Sequence, residues 1–234
     1  MPATGRVAKR EAPSPMTPPT ELALAGLDTL SDLSERLVQW ASPERTYISE
    51  LLRFMSLKSG DRLLDVGCGS GDLLAAAASR EAGAVLVGID PDEDALELAS
   101  HKISGTIHAA ELHQGVAERL PFEDDCFDLV TATRLLGFLD ARTRAAALRE
   151  CWRVLRPGGR LLVADWAEEP NGIEALVTWP WRLVRDTFLA GSGGTPTVAD
   201  AISIARFHPA EPRGRFRTVV GVVELLEAFK PLQA

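Results

Sequence analysis

Apolar residues along this chain follow two different periods, and the change from one to the other divides it. Between residues 21 and 55 they recur at helical spacing, at Leu22, Leu24, Leu27, Leu30, Leu33, Leu37 and Trp40, then at Ile48, Leu51, Leu52 and Phe54 beyond a Ser42-Pro43-Glu44 break. This predicts helices on both sides of the break. From residue 60 onward the pattern changes to short apolar runs: Leu63, Leu64 and Val66, then Val85-Leu86-Val87-Gly88-Ile89-Asp90, Phe127-Asp128-Leu129-Val130 and Arg160-Leu161-Leu162-Val163-Ala164-Asp165. Such runs predict strands covered on both faces, and a further strand is expected over 110–114. Helix formers lie between them: Leu73, Leu74 and the alanines from Ala75 to Ala78, then Ala95, Leu96, Leu98 and Ala99, then residues 142–155. The last of these is closed by Arg156-Pro157-Gly158-Gly159, a helix stop with turn chemistry. Strands alternating with helices imply a doubly wound parallel sheet, an α/β fold. Near the end, 217–220 and 222–226 flank Gly221 as two β-capable runs.

The first strand breaks into Gly67-Cys68-Gly69-Ser70-Gly71-Asp72 before a helix opens. Glycines there take positive φ and let a ligand approach the main chain. A dinucleotide fingerprint would need its third glycine at position 72, where this chain has Asp72. A carboxylate in the first helical turn is expected to satisfy the exposed N–H groups and to compete with a pyrophosphate. The spacing therefore points to a nucleoside ligand without pyrophosphate. Asp90 ends the second strand about 20 residues further on, where doubly wound folds place the acid that accepts ribose hydroxyls. Asp92 and Asp94 supply oxygens to the following helix and leave Asp90 for that role.

The run Asp65-x-Gly67-x-Gly69-x-Gly71 resembles the cofactor loop of class I S-adenosylmethionine-dependent methyltransferases. Gly115-Val116-Ala117-Glu118-Arg119-Leu120-Pro121-Phe122 and residues 153–165 are similar to the ubiquinone/menaquinone C-methyltransferase group, and the resemblance extends over about residues 53–230. It implies a seven-stranded, mostly parallel Rossmann-like sheet with an N-terminal helical cover, S-adenosyl-L-methionine as cofactor, and methyl transfer to a carbon, nitrogen or oxygen of a small-molecule acceptor. Cofactor contacts are implied for Asp65, Gly67, Cys68, Gly69, Gly71, Asp90, Pro91, Val116, Ala117 and Thr131, and for Tyr47 on the covering helix. The chain departs from that group at Val116, where an aspartate would accept from the adenine amino group, and at Gly137 and Phe138, which are often histidines. Asp165, ending the fifth strand, is then the ionisable candidate for catalysis. Trp166, Trp179, Trp181, Arg182, Arg185 and Phe188 are expected on the acceptor side, since aromatic rings with a few polar groups line small-molecule pockets.

Composition narrows the field. With 234 residues, 46% of them hydrophobic and 25% charged, one large domain over 21–234 is expected, behind a flexible proline-rich tail at 1–20. Within it, 21–57 reads as the helical cover, 58–165 as the cofactor-binding half and 166–234 as the acceptor-side half. A net charge of −8 opposes a nucleic-acid partner. No apolar run approaches the roughly 20 residues of a membrane span, and the first residues lack a secretory core, so a cytoplasmic protein is expected. Cys68, Cys126 and Cys151 have no disulfide or metal spacing, and His101, His108, His113 and His208 make no metal motif, so no metal is assigned. Two other functions fit parts of the pattern. A nicotinamide-dependent oxidoreductase is opposed by Asp72 and by the missing Tyr-x-x-x-Lys pair. A protein that keeps S-adenosylmethionine only as a scaffold, for non-methylating chemistry or partner binding, would bind it without turnover.

Overall fold

The computed structural model describes residues 44–80, 83–106, 108–167, 196–218 and 221–232, all within the unit from Ser42 to Ala234. Among these residues the elements run α1 (Glu44–Met55), β1 (Arg62–Val66), α2 (Asp72–Ala78), β2 (Val85–Asp90), α3 (Glu93–Ser104), β3 (Ala110–Gln114), β4 (Phe127–Thr133), a 3-10 turn (Leu136–Phe138), α4 (Ala141–Val154), β5 (Leu155–Trp166), α5 (Val198–Ile204), β6 (Glu211–Thr218) and β7 (Gly221–Phe229). The strands form one sheet in the order β3-β2-β1-β4-β5-β7-β6. β1 pairs in parallel with β2 and β4, β2 with β3, and β4 with β5, whereas β7 runs antiparallel to β5 and to β6. The chain moves outward in one direction from β1 to β3 and in the other from β4 to β5. A crevice therefore opens at the carboxyl ends of β1 and β4, where doubly wound folds bind ligands.

The unbroken apolar runs follow from the two covered faces. Leu63 and Leu64 are both fully buried but belong to different clusters, because successive strand side chains point to opposite faces. Leu64, Val66, Val87, Ile89, Val130 and Ala132 pack with Ala147, Leu148, Cys151 and Val154 of α4 and Ile202 of α5. Leu63, Leu86, Leu129 and Leu162 pack with Leu51 and Met55 of α1 and with Leu73, Leu74, Ala77 and Ala78 of α2.

Two expectations need correction. The Arg156-Pro157-Gly158-Gly159 stop does end α4, at Val154, but those residues already belong to β5 as its irregular first part. The register between β4 and β5 shifts there, and the Gly158 N–H donates to Lys230 C=O and the Lys230 N–H to Gly159 C=O, both at 2.9 Å. The C-terminal hairpin is also longer than its apolar residues suggest. Gly221 is the first residue of β7, paired with Thr218, and β6 begins at Glu211 in Glu-Pro-Arg-Gly-Arg. β6 is an edge strand, so Pro212 is tolerated there, at a register shift. Arg213 and Arg215 are drawn into line by Glu227 and Glu224 of β7.

Candidate functional site

The three loop glycines all have positive φ, at 69° for Gly67, 50° for Gly69 and 74° for Gly71, but different surroundings demand them. A Cβ on Gly71 would meet the Ala99 Cβ at 2.7 Å, so this glycine lets α2 and α3 approach. A Cβ on Gly67 would meet the Leu135 side chain at 3.0 Å. A Cβ on Gly69 would meet nothing within 4 Å. Gly69 is thus the glycine that presents bare backbone to open space. Asp72 does not cap α2, which corrects the expectation: the N-cap is Gly71, with no side-chain cap bond. Lys102 at the end of α3 draws its carboxylate away, at 2.9 Å, and Ser70 Oγ donates to the other oxygen.

Cys68 is buried, and its thiol is pushed above the ordinary range by burial and by the Asp65 and Asp90 charges. It is not a thiolate, so the loop offers main chain here: Gly67 and Cys68 both donate their N–H to Ile89 C=O, which lashes the loop to β2.

Two carboxylates converge on this loop. Asp90 accepts the Gly69 N–H at 2.8 Å and the Asp92 N–H at 3.0 Å, one on each oxygen. Asp92 accepts from Asp94 and Ala95 and is itself the N-cap of α3. Asp65, on β1, is 1% exposed. Its Oδ1 accepts from Thr131 Oγ1 at 2.7 Å, while its Oδ2 is buried with no hydrogen-bond partner. Burial pushes the Asp65 carboxyl up to about 7; the Thr131 bond opposes the shift and the Asp90 charge adds to it.

Beyond β3, the Gly115 N–H donates to Asp90 C=O, which holds the start of the Val116–Ala117 segment beside β2. Val116 is 41% exposed, at the rim, and Ala117 packs against the core. Pro91 C=O accepts from Gln114 Nε2. The Leu120-Pro121-Phe122 stretch is held from α4: Glu150 accepts the Leu120 N–H, and Arg153 donates to Leu120 C=O, Phe122 C=O and Glu150. That clamp ties the stretch to α4 through Arg153, three residues before Arg156-Pro157-Gly158-Gly159.

After β4 the chain turns sharply. Asp165, 3% exposed, accepts the Gly137 N–H at 2.7 Å on one oxygen and the Trp166 N–H at 2.8 Å on the other. Burial raises its pKa, against those two bonds and the charges of Arg144 and Arg134. A side chain at position 137 would collide with it, the Gly137 Cβ lying 2.7 Å from Asp165 Oδ1, so the absent histidine and the aspartate are one arrangement. Tyr47 is buried in the apolar cluster that also contains Cys68 and Leu73. Trp166 is half-buried against the same cluster. Trp179, Trp181, Arg182, Arg185 and Phe188 lie outside the described residues.

Leu135 and Arg144 escaped the sequence reading. Arg144 is buried on α4 and donates Nε to Leu136 C=O at 2.7 Å, Nη2 to Leu139 C=O at 3.1 Å and Nη1 to Pro196 C=O at 2.9 Å. Its signal was an arginine on the apolar face shared with Ala147, Leu148 and Cys151. No group of three or more metal-ligating side chains occurs among the described residues, and no described helix is long and apolar enough to cross a membrane.

Residues 64–163 match the family described as "Methyltransferase domain". The ubiquinone/menaquinone biosynthesis C-methyltransferase UbiE of Geotalea daltonii is 35% identical over 109 residues, 45% of this chain and 46% of the relative. The demethylmenaquinone methyltransferase of Lactiplantibacillus plantarum is 32% identical over 150 residues, 63% of this chain and 62% of the relative. The chain thus spans about half to three-fifths of the length of these curated relatives. Among solved structures, an S-adenosylmethionine-dependent methyltransferase of Thermotoga maritima superposes with a TM-score of 0.62 at 19% identity, covering 85% of this chain and 97% of that one, a likeness of fold. Over residues 64–163 the chain is thus similar to methyltransferase domains, and it is similar to ubiquinone/menaquinone C-methyltransferases over about half of their length.

Proposed function

We propose that this protein transfers a methyl group from S-adenosyl-L-methionine to a small-molecule acceptor at the carboxyl end of the sheet. The observation that carries this reading is the pair of carboxylates around the bare backbone of Gly69. The unpartnered Asp65 Oδ2 is a buried acceptor awaiting a donor or a cation, and the Asp90 charge makes its position worse until one arrives. A ligand with a nucleoside at one end and positive charge at the other suits both groups, whereas a pyrophosphate suits neither. The bound cofactor supplies a methyl group already activated on a sulfonium.

The chain's own contribution is binding and orientation. Each Asp90 oxygen keeps a lone pair beside its backbone bond and is suited to a ribose hydroxyl. Asp65 is suited to the cationic end of the ligand, with Thr131 fixing its carboxyl. The backbone of Ala117 is the remaining donor toward the base edge, since Val116 carries no carboxylate. Asp165, with both oxygens on backbone N–H groups, serves to hold the turn over the acceptor side and not to abstract a proton. Catalysis then rests on holding the acceptor in line with the methyl group and on excluding water.

Calorimetry with S-adenosylmethionine, S-adenosylhomocysteine, NAD and NADP tests the cofactor. Binding of the first two alone is expected, and NAD binding in their place would revive the oxidoreductase. Incubation with methyl-labelled cofactor and extracts of the source, followed by mass spectrometry, is expected to yield a labelled small molecule. Tight cofactor binding with no label transferred would favour the scaffold reading.

A further inference from the structure

At the opposite end of the sheet from the glycine loop lies a cavity of about 300 Å³, beside the irregular start of β5. Phe127 pairs with Leu155 and Leu129 with Arg160, so the residues from Arg156 to Gly159 stand against Asp128 alone. Extra residues of this kind bend a strand and re-aim its side chains, and the cavity opens next to them. Its walls are fixed. Arg160 donates to Phe54 C=O and Met55 C=O at the end of α1, and the Gly158 N–H donates to Lys230 C=O at 2.9 Å.

Three cationic side chains line the cavity, Lys58, Arg156 and Arg160, against two carboxylates, Asp61 and Asp128. Both carboxylates are already engaged. Asp128 accepts the Arg62 N–H at 2.7 Å and pairs with Arg156, while Asp61 accepts the Lys58 N–H at 2.9 Å and closes the turn before β1. Arg160 is committed to Glu227 and to the end of α1. The other two cations are not so bound. Among the described residues the Lys58 ammonium meets no acceptor, and Arg156, with 58% of its side chain exposed, has Asp128 as its one ion-pair partner. The buried charges at this end are paired, and the surplus sits on these exposed heads. In a chain of net charge −8, a cavity with positive charge and hydrogen-bond donors in excess is suited to an anion.

We infer that this cavity binds a small phosphorylated molecule through Lys58 and Arg156. The two heads come from separate segments, the α1–β1 connection and the start of β5, so the group between them must offer oxygens in more than one direction. A phosphate does so with three oxygens, whereas a carboxylate is matched by a single guanidinium fork. The volume stands at the lower end of small-molecule sites and equals that of roughly ten waters, which admits a phosphate with a short organic body. The site lies away from the cofactor crevice and does not depend on the methyltransferase reading.

The test titrates glycerol 3-phosphate and ribose 5-phosphate, with glycerol and ribose as neutral controls, into the full chain by calorimetry at one fixed ionic strength. At least one ester is expected to bind, one per chain, with inorganic phosphate competing and with the same affinity whether or not S-adenosylhomocysteine is present. Lys58→Gln and Arg156→Gln are each expected to weaken that binding about tenfold, and Lys58→Arg to keep most of it. Lys58→Gln should melt with wild type in the absence of ligand, because its ammonium holds no described residue, so it decides the matter even if Arg156→Gln folds poorly. Neither ester binding, or inorganic phosphate binding as tightly as both esters, an adventitious ion only, overturns the assignment. So does ester binding that survives the double variant Lys58→Gln/Arg156→Gln or that S-adenosylhomocysteine displaces, since either would put the anion elsewhere.

Discussion

At the amino-terminal ends of the parallel strands, buried charges meet opposite charges. Glu227 of β7 is held by Arg160 and Arg213, and Arg160 also caps the end of α1 through Phe54 and Met55 C=O. Asp128 takes Arg156 and the Arg62 N–H, and the buried Lys230 takes Asp125, Leu155 C=O and the face of Trp152. At the carboxyl ends, Asp65 keeps an unpartnered buried oxygen, Asp90 pushes its pKa further up, and glycines at positive φ replace side chains. The same sheet therefore carries a neutralised end that holds the fold and an electrostatically incomplete end. Incompleteness on that scale is tolerated where a ligand completes it.

The sharpest way to break this comparison is at the neutralised end. Glu227→Ala leaves Arg160 and Arg213 facing each other, and unfolding titrations should show a loss of about 3–5 kcal/mol. Cofactor affinity of the folded fraction should not move. A loss below about 1 kcal/mol would mean that solvent already screens the pair.

Asp65 should show the opposite behaviour. Its folded pKa of about 7 lies above the ordinary 3.8, so the folded protein holds a proton that the unfolded chain releases between those values. Its contribution to stability is therefore present below about pH 4 and is lost as pH rises toward 7, on the order of a few kcal/mol. Chemical denaturation across that window should show the decline in wild type relative to Asp65→Asn. Cofactor binding near pH 6 should release a proton, read as a buffer-dependent heat. An identical pH profile in both proteins would mean that Asp65 titrates in the folded protein as it does in the unfolded chain.

Asp90→Ala removes charge-assisted bonds and is expected to weaken S-adenosylmethionine binding by about 1.5–3 kcal/mol, roughly tenfold to a hundredfold, in a protein that still folds. Wild-type affinity in calorimetry would remove Asp90 from the site. The glycines sharpen the same division. Gly69→Ala should cost about 1–2 kcal/mol of stability through its positive φ and should also weaken binding, since its Cβ enters open space at the loop. Gly71→Ala drives a Cβ into Ala99, so its larger cost should fall on the packing of α2 against α3. Equal losses of binding and stability in the two variants would dissolve the distinction.

The smallest effect is expected at Val116. Restoring an acceptor as Val116→Asp on that exposed rim should tighten cofactor binding by about 1 kcal/mol. Weaker binding, with the melting temperature kept, would show that another group already meets the adenine edge.

Much of this architecture can be read from the chain. The strands of the doubly wound half are apolar because both faces are covered, and the glycine loop and Asp90 stand out because backbone turns and strand ends demand particular residue types. Asp92 declared itself as a cap by its place ahead of α3. The edge strand β6 did not, because Glu211, Pro212, Arg213 and Gly214 show no apolar alternation; their order comes from cross-strand pairing with β7.

What the sequence by itself determined, then, is what local chemistry controls: the order of strands and helices, the turn at Gly67, Gly69 and Gly71, and the absence of a pyrophosphate-type loop. Only the tertiary structure decided which acid is orphaned and which is satisfied. Asp65, Asp90 and Asp165 look alike as strand residues, yet one is buried beside a single hydroxyl, one sits on two loop amides at the crevice, and one is consumed in clamping Gly137. Burial, hydrogen-bond partners and neighbouring charge are properties of packing between distant segments, and the charge state of a carboxylate depends on all three.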